Sequence, residues 1–328
     1  MSPLTGTIGC VSTSTGPTTR RHRPPEPVDL ALVLPRFVRG SGDPTSHRVS
    51  DDWWFAWTTP DGPVTLHLTS EGSDVLASAW GDGADWMLER LPDLVGGRDD
   101  PSDFTPRHDL VARGWPRMRT WRVPANGLVA QMLVCSVLEQ KVTHDQARHG
   151  WRTLVRLAAR IDDDGPAPGP VPPGMLPPPT PAAVLRIPSW DWHARAWVQP
   201  SQSRTMLEVA RRAASIDRLG DAVAPGDTAG VAALARRLES VPGIGPWTTA
   251  EALQRSHGAA DLVSVGDYHL AQYVGQVLTG RRTDDAGMLR LLAPWAGHRQ
   301  RVVRMIGLSG ERKQAFGPKL APADHRAH

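Results

Sequence analysis

Between residues 236 and 270 the chain reads RRLESVPGIGPWTTAEALQRSHGAADLVSVGDYHL, and two features of this stretch could do chemistry. The first is the turn VPGIGPW at 241–247. Pro242 cannot continue a preceding helix. Gly243 and Gly245 admit backbone conformations closed to other residues, and Pro246 suits the first turn of a following helix. Such a turn leaves backbone N–H groups facing outward at a helix N-terminus, which suits an anion such as a backbone phosphate. The candidate donors are Gly243, Gly245, Trp247 and Thr248. The turn carries no charged side chain, so a contact through it would have no sequence preference. The plainer reading is a helix corner whose glycines serve close packing. The second feature is Asp267, twenty residues beyond Trp247 and directly after Val265-Gly266. An aspartate at a helix mouth is most often an N-cap. The other reading is a carboxylate held close to whatever the turn binds.

Helices must position both features. VAALARRLESV (231–241) is amphipathic and ends near Ser240 or Val241, and WTTAEALQRSH starts the second helix of the pair. A further helix, containing Tyr268, Leu270 and Tyr273, follows Asp267. Upstream lie NGLVAQMLVCSVLEQKVT (126–143), strongly apolar with Asn126 as its N-cap, then HDQARHGWRTLVRLAARI (144–161) and SRTMLEVARRAASI (203–216). MLRLLAPW and HRQRVVRMIGL close the helical part at 288–308. Residues 165–181 hold nine prolines and read as a loop of polyproline character inserted between helices.

The N-terminal third differs. Residues 51–70 form two Trp-, Val-, Thr- and Leu-rich runs split by Pro60-Asp61-Gly62-Pro63, a hairpin signal. Val64, Leu66 and Leu68 alternate with Thr65, His67 and Thr69, the period of a half-buried strand. SDVLASAWG is a further strand, and GADWMLERLPDLVG a short helix stopped by Gly96-Gly97. The expected organisation is a disordered tail at 1–27, a small α+β domain at 28–103, a helical domain at 104–310 and a flexible tail at 311–328. The basic cluster Arg20–Arg23 within the first tail is a second candidate for touching nucleic acid.

Composition narrows the classes. The chain has 328 residues, 40% of them hydrophobic and 22% charged, which fits a soluble globular protein of about two domains. Apolar runs such as Leu128–Leu138 are far shorter than the ~20 residues of a membrane span, and no signal peptide opens the chain, so a cytoplasmic location is expected. The two cysteines, Cys10 and Cys135, exclude a disulfide framework, a four-cysteine iron–sulfur cluster and a cysteine-rich zinc site. His193, His269 and His298 lack metal-ligand spacing, and no catalytic metal is expected. The net charge of +3 permits nucleic acid as a partner without arguing for it. Arginine supplies nearly all the positive charge, since the only lysines are Lys141, Lys313 and Lys319.

The segment LESVPGIGPWTTAEAL…DLVSVGDYHL resembles the helix–hairpin–helix, Gly/Pro–Asp superfamily of base-excision DNA glycosylases. PGIG (242–245) matches the hairpin and Val265-Gly266-Asp267 the Gly/Pro–Asp element. SVLEQKVTHDQA (136–147) is similar to an early helix end and loop, where a glutamine and its neighbour approach DNA beside the lesion. LAPWAGHRQRVVRMI (292–306) is similar to the late helix. The match covers roughly residues 104–308. The small N-terminal domain fits the layout of the DNA-3-methyladenine glycosylase II branch.

The resemblance implies a mainly α fold with an N-terminal α+β domain, and double-stranded DNA containing damaged bases as the partner of a monomer associated with the nucleoid. Bifunctional members place a Schiff-base lysine just after the hairpin. That position is Trp247, so a monofunctional enzyme without lyase activity is expected. Asp267 would stabilise the oxocarbenium-like charge at C1′ or position a water after base flipping. N-alkylated purines are the expected substrates, with a deaminated or oxidised base, or a non-catalytic DNA-binding role, as alternatives. Trp247 and Tyr268 are the candidates for the base pocket. Gln140 and Lys141 either insert beside the flipped base or form a solvated helix end. Arg299, Arg301 and Arg304 face either phosphate or solvent. Trp190, Trp192 and Trp197 read as core. A late tryptophan of some relatives is missing where this chain has Arg304 to Gly307, which affects the pocket. No cofactor is expected, and the sequence leaves open a structural monovalent cation on the hairpin carbonyls.

Overall fold

The computed structural model describes residues 16–161 and 167–311. Five antiparallel strands form one sheet: β1 (Thr18–His22), β2 (Ser46–Val49), β3 (Asp52–Thr59), β4 (Gly62–Glu71) and β5 (Asp74–Trp80), in the order β1-β5-β4-β3-β2. Period-two alternation puts Trp53, Phe55 and Trp57 with Val64, Leu66 and Leu68 on one buried face. The helices, in chain order, are α1 (Leu30–Val33), α2 (Ala84–Glu89), α3 (Leu91–Leu94), α4 (Asp109–Met118), α5 (Val129–Leu138), α6 (His144–Ile161), α7 (Pro181–Arg186), α8 (Pro200–Asp221), α9 (Thr228–Leu238), α10 (Pro246–Ser256), α11 (Leu270–Thr279), α12 (Asp285–Leu292) and α13 (Arg299–Leu308). Short 3₁₀ turns lie at Leu34–Arg36 and Ala293–Trp295, and a π-helical turn at Asp191–Arg195. Among the described residues no helix is long and apolar enough to cross a membrane.

Two apolar cores organise these elements, and they divide the chain differently from a boundary near residue 103. The first joins the sheet, α2 and α3 to α4 and α11–α13. The second is built from α5–α10 around α5, nine of whose ten residues are buried. The chain returns to its first core at its C-terminal end, and linear composition cannot reveal that return. The hairpin loop therefore belongs to one core and Asp267 sits at the edge of the other.

Several expectations are corrected by long-range contacts. The tail expected to be disordered contributes β1: Arg20 Nη1 donates to Leu88 O, and Arg21 and Arg23 both pair with Asp74. These pairings account for the basic cluster, while residues 1–15 and 312–328 lie outside the described residues. The proline-rich segment covers the second face of the sheet. Ala167 and Met175 bury against Ala56 and Trp54, and Thr65 is fully buried, so this strand is not half-exposed. Asn126 does not cap α5. It is buried before the helix, with Oδ1 accepting from Leu128 N at 3.0 Å, while Asp217 of α8 takes Ala130 N at 2.9 Å. The helix also ends earlier than expected, because Gln202 Nε2 reaches the carbonyls of Val137, Leu138 and Gln140, each at 3.1 Å. Of the three clustered tryptophans only Trp192 is core. Trp190 is 68% exposed, and Trp197 stacks on His149.

Candidate active site

The hairpin joins α9 to α10. Gly243 adopts φ +87°, and a Cβ there would collide with Thr205 of α8, so glycine is required twice over. Gly245 is different. Its φ of −122° suits any residue, and a Cβ would meet nothing within 4 Å. No contact among the described residues asks for glycine at 245, and the space beside it is open. Ile244 N and Thr249 N are bonded within the turn, to Val241 O and Gly245 O. The N–H groups of Gly243, Gly245, Trp247 and Thr248 have no partner among the described residues. These are the expected donors, gathered at a helix start whose dipole favours an anion. The Thr248 side chain is buried and serves the protein, with Oγ1 accepting from Gln140.

Gln140 is a brace for this loop. Its Nε2 donates to Gly243 O at 3.0 Å and Thr248 Oγ1 at 2.8 Å, tying the end of α5 to the hairpin. A side chain held this way is not free to insert beside a base. Lys141, the next residue, is exposed and sits at φ +54°, a left-handed conformation unusual for a lysine. The carbonyl clamp of Gln202 holds the chain just before it. Of the expected pair, the structure leaves Lys141 facing outward.

Asp267 fulfils both readings of a helix-mouth aspartate at once. Its Oδ1 accepts from His269 N and Leu270 N, both at 2.8 Å, and so caps α11. Its Oδ2 turns the other way and accepts from Trp247 Nε1 at 3.3 Å. The carboxylate thus bridges the two cores and stands beside the half-buried indole of α10. Tyr268 does not join them. The cap turn carries it outward, where its ring is 75% exposed and meets His269 edge-on. Tyr273 is also elsewhere, donating to Ile306 O and Glu311 O.

One turn beyond Trp247 on α10 lies Glu251, and beyond that Arg255, a spacing that places all three on one face. Arg255 Nη1 donates to Glu251 Oε2 at 2.8 Å, and Ser264 Oγ donates to Glu251 Oε1. Asp267 N in turn bonds Ser264 O at 3.2 Å, so this network touches the catalytic candidate directly. Gln254 extends it. Its Oε1 receives Arg36 Nη2 at 2.9 Å and Gln300 Nε2 at 3.0 Å, and its Nε2 donates to Ser264 Oγ. Desolvation opposes the charge on Glu251, yet Arg255, Ser264 and Arg36 outweigh it and hold the carboxyl below the usual range. Burial, with Arg255 close by, pushes the Arg36 guanidinium down to about 9 and lowers Arg304 as well. None of these polar residues stood out in the sequence apart from Arg304. The i, i+4, i+8 run Trp247–Glu251–Arg255 was its one readable signal.

The other two late arginines have structural duties. Arg301 is fully buried in an ion pair with Asp99, and Arg299 Nε donates to Asp261 Oδ1 at 2.9 Å. Arg301 is thus closed to phosphate and solvent, while Arg299 stays partly exposed beside Asp261.

No family model and no curated protein matches the sequence. Solved structures do match the fold. A 3-methyladenine DNA glycosylase from Archaeoglobus fulgidus superposes with a TM-score of 0.68 at 15% identity, over 88% of this chain and 98% of that one. The 8-oxoguanine glycosylase/lyase of Clostridium acetobutylicum, free of DNA, gives 0.61 at 9% identity, over 89% and 95%. The same enzyme bound to double-stranded DNA gives 0.62, also at 9% identity, over 91% and 100%. The chain therefore has the helix–hairpin–helix DNA glycosylase fold, mainly helical with a small antiparallel sheet.

Proposed function

We propose that the protein is a monofunctional DNA glycosylase that hydrolyses the N-glycosidic bond of a damaged base in duplex DNA. The observation that carries this reading is the convergence at one place of unpartnered hairpin N–H groups and a carboxylate whose second oxygen faces away from its helix. Gly243, Gly245, Trp247 and Thr248 would grip a phosphate through their backbone, positioning the strand without reading its sequence. The target nucleotide would leave the stack at a cost of a few kcal/mol. Asp267 would then face C1′ of its sugar. As the bond to the base lengthens, positive charge grows on the deoxyribose, and a fixed carboxylate stabilises it. Water adds its oxygen to C1′, and its two protons end on the departing base and the new hydroxyl. The products are free base and an abasic site.

By the family resemblance Trp247 stands where a lyase would carry its amine, and Lys141, the lysine among the described residues, is not at that position. Lys141 belongs to a different loop. The half-buried Trp247 ring also offers a stacking face, worth ~1–3 kcal/mol per base. The alkylated purines expected from the sequence would satisfy that face, and so would an uncharged damaged purine.

The test is incubation of the purified protein with duplexes carrying methylated, deaminated or oxidised bases, with Asp267→Asn alongside. Base release without strand cleavage, lost in the variant while abasic-site DNA still binds, is the expected outcome. Release by the variant at the wild-type rate sinks the assignment of Asp267. Strand cleavage through a trapped covalent intermediate sinks the monofunctional reading.

A further inference from the structure

The lining beside Trp247 and Asp267 is polar, basic and incompletely paired. Arg36 comes from the 3₁₀ turn after α1, Glu251, Gln254 and Arg255 from α10, and Gln300 and Arg304 from α13. They lie deep in the protein, yet Arg36, Glu251, Arg255, Gln300 and Arg304 each keep partial solvent exposure. Depth with partial exposure is the mark of a narrow cleft rather than of solid core. Arg39 and Glu139 pair at 3.0 Å on its far side. Four guanidinium groups thus face three carboxylates, those of Glu251, Glu139 and Asp267. The field in the cleft is positive, and a second cation entering it would be repelled.

The unpartnered atoms add a pattern. Among the described residues Gln300 Oε1 is a buried acceptor with no partner, and Arg304 Nε is a buried donor with none. They sit four residues apart on α13 and so share a face. Arg36 Nε, opposite them, is a third buried atom without a partner. Buried polar atoms are nearly always paired, and those that are not call for a specific reason. An acceptor beside a donor is the complement of a lactam edge, in which a ring N–H adjoins a C=O. 3-Methyladenine lacks that edge; 7-methylguanine keeps it, but the arginines oppose its positive charge.

Resting on the glycosylase reading, we infer that this cleft selects a neutral base with a lactam edge over a base that carries positive charge. Gln300 accepts from the ring N–H, while Arg304 and Arg36 donate to the carbonyl. Glu251 holds Arg255 in place and limits the positive field. Gln300, Arg304 and Arg36 are thus specificity-determining residues, and Asp267 remains the group at the sugar. The flexible guanidinium arms of Arg36 and Arg304 line the entrance and must swing as the ring enters.

The experiment compares single-turnover release from duplexes with one hypoxanthine, xanthine, 8-oxoguanine or uracil against release of 3-methyladenine and 7-methylguanine from methylated duplex. Wild type is expected to release at least one lactam base more than about tenfold faster than either cationic base. Arg304→Met should cut lactam release by about tenfold or more and raise release of the cationic bases. Arg304→Lys keeps the charge and loses the fixed Nε donor. It should cut lactam release while leaving 3-methyladenine at the wild-type rate. Gln300→Leu should cut lactam release and leave 3-methyladenine, which has no such edge, at the wild-type rate. Unchanged affinity for abasic-site duplex, which presents no base, shows that a variant is folded. Preference of the wild type for a cationic base, or an unchanged ratio in Arg304→Met and Gln300→Leu, overturns the inference and leaves the glycosylase reading standing. Release of no base at all overturns both.

Discussion

Two hollows lie towards opposite ends of α5, and they differ in kind. At its N-terminal end is a cavity of about 400 Å³, walled by Leu128, Val134, Val209 and Ala213, with the β3–β4 turn and α7 closing it. Two carboxylates, Asp217 and Asp221, line it together with Arg218; Asp217 accepts from Ala130 N and Asp221 pairs with Arg90. At the other end Gln140 braces the hairpin, and beyond it lies the narrow cleft of Trp247, Glu251 and Asp267. The roomier hollow has apolar walls with a small polar edge of Asp217, Arg218 and Asp221. The narrow one has open N–H donors, a bridging carboxylate and unpartnered hydrogen-bonding atoms. Volume measures only where packing is loose, whereas chemistry needs groups of complementary charge brought to one point.

Paired substitutions can break or sharpen that contrast. The largest effect is expected from the two aspartates. Asp267→Asn should lower base release on the order of a thousandfold, since on the proposed mechanism it removes the charge that faces the sugar. Asp217→Asn should leave release unchanged, as measured by single-turnover assays on the same duplex. Equal losses from both would remove the distinction. Trp247→Ala should slow release roughly ten- to a hundredfold, read from the same assay, because it loses both the stacking face and the indole donor to Asp267.

The hairpin supplies a stability test. Gly243→Ala must accommodate a methyl against Thr205 in a left-handed conformation, and should cost about 1–3 kcal/mol in denaturant unfolding. Gly245→Ala should leave unfolding nearly unchanged and weaken duplex binding instead, because its methyl points only outward. Equal stability loss from both would show that Gly245 is also a packing residue.

The smallest effect is a pH dependence at the apolar hollow. Burial, partly offset by the Ala130 N–H, raises the Asp217 carboxyl from 3.8 to about 6. Between those values the unfolded chain has released its proton while the folded chain retains it, so stability falls as pH rises. Above about 6 the full deficit remains, and below 3.8 there is none. Asp217→Asn should be more stable than wild type at pH 7 and lose that advantage by pH 4, read as the shift in denaturation midpoint. A constant difference across the range would place the cost elsewhere.

Local chemistry made part of this molecule legible in its sequence. The hairpin is one such part, since Pro242 and Pro246 restrict their own backbone and Gly243 permits the left-handed turn between them. The helices around it, the β3–β4 hairpin and the place of Asp267 at a helix mouth follow from periodicity and capping in the same way. Its neighbours were not legible. Nothing near Gln140 in the chain says that its amide closes on Gly243 a hundred residues later. Nothing in GDYHL says that the two carboxylate oxygens will face different partners, or that Tyr268 will turn outward while Glu251, Gln300 and Arg36 converge. Tails and proline-rich runs look unstructured by composition, yet β1 and the segment carrying Met175 are ordered by edges and faces contributed from elsewhere. Sequence determined those features whose cause lies within a few residues. Tertiary structure alone decided the second oxygen of Asp267, the brace of Gln140 and the charge of the cleft, because each depends on which distant side chains share a small, poorly hydrated volume.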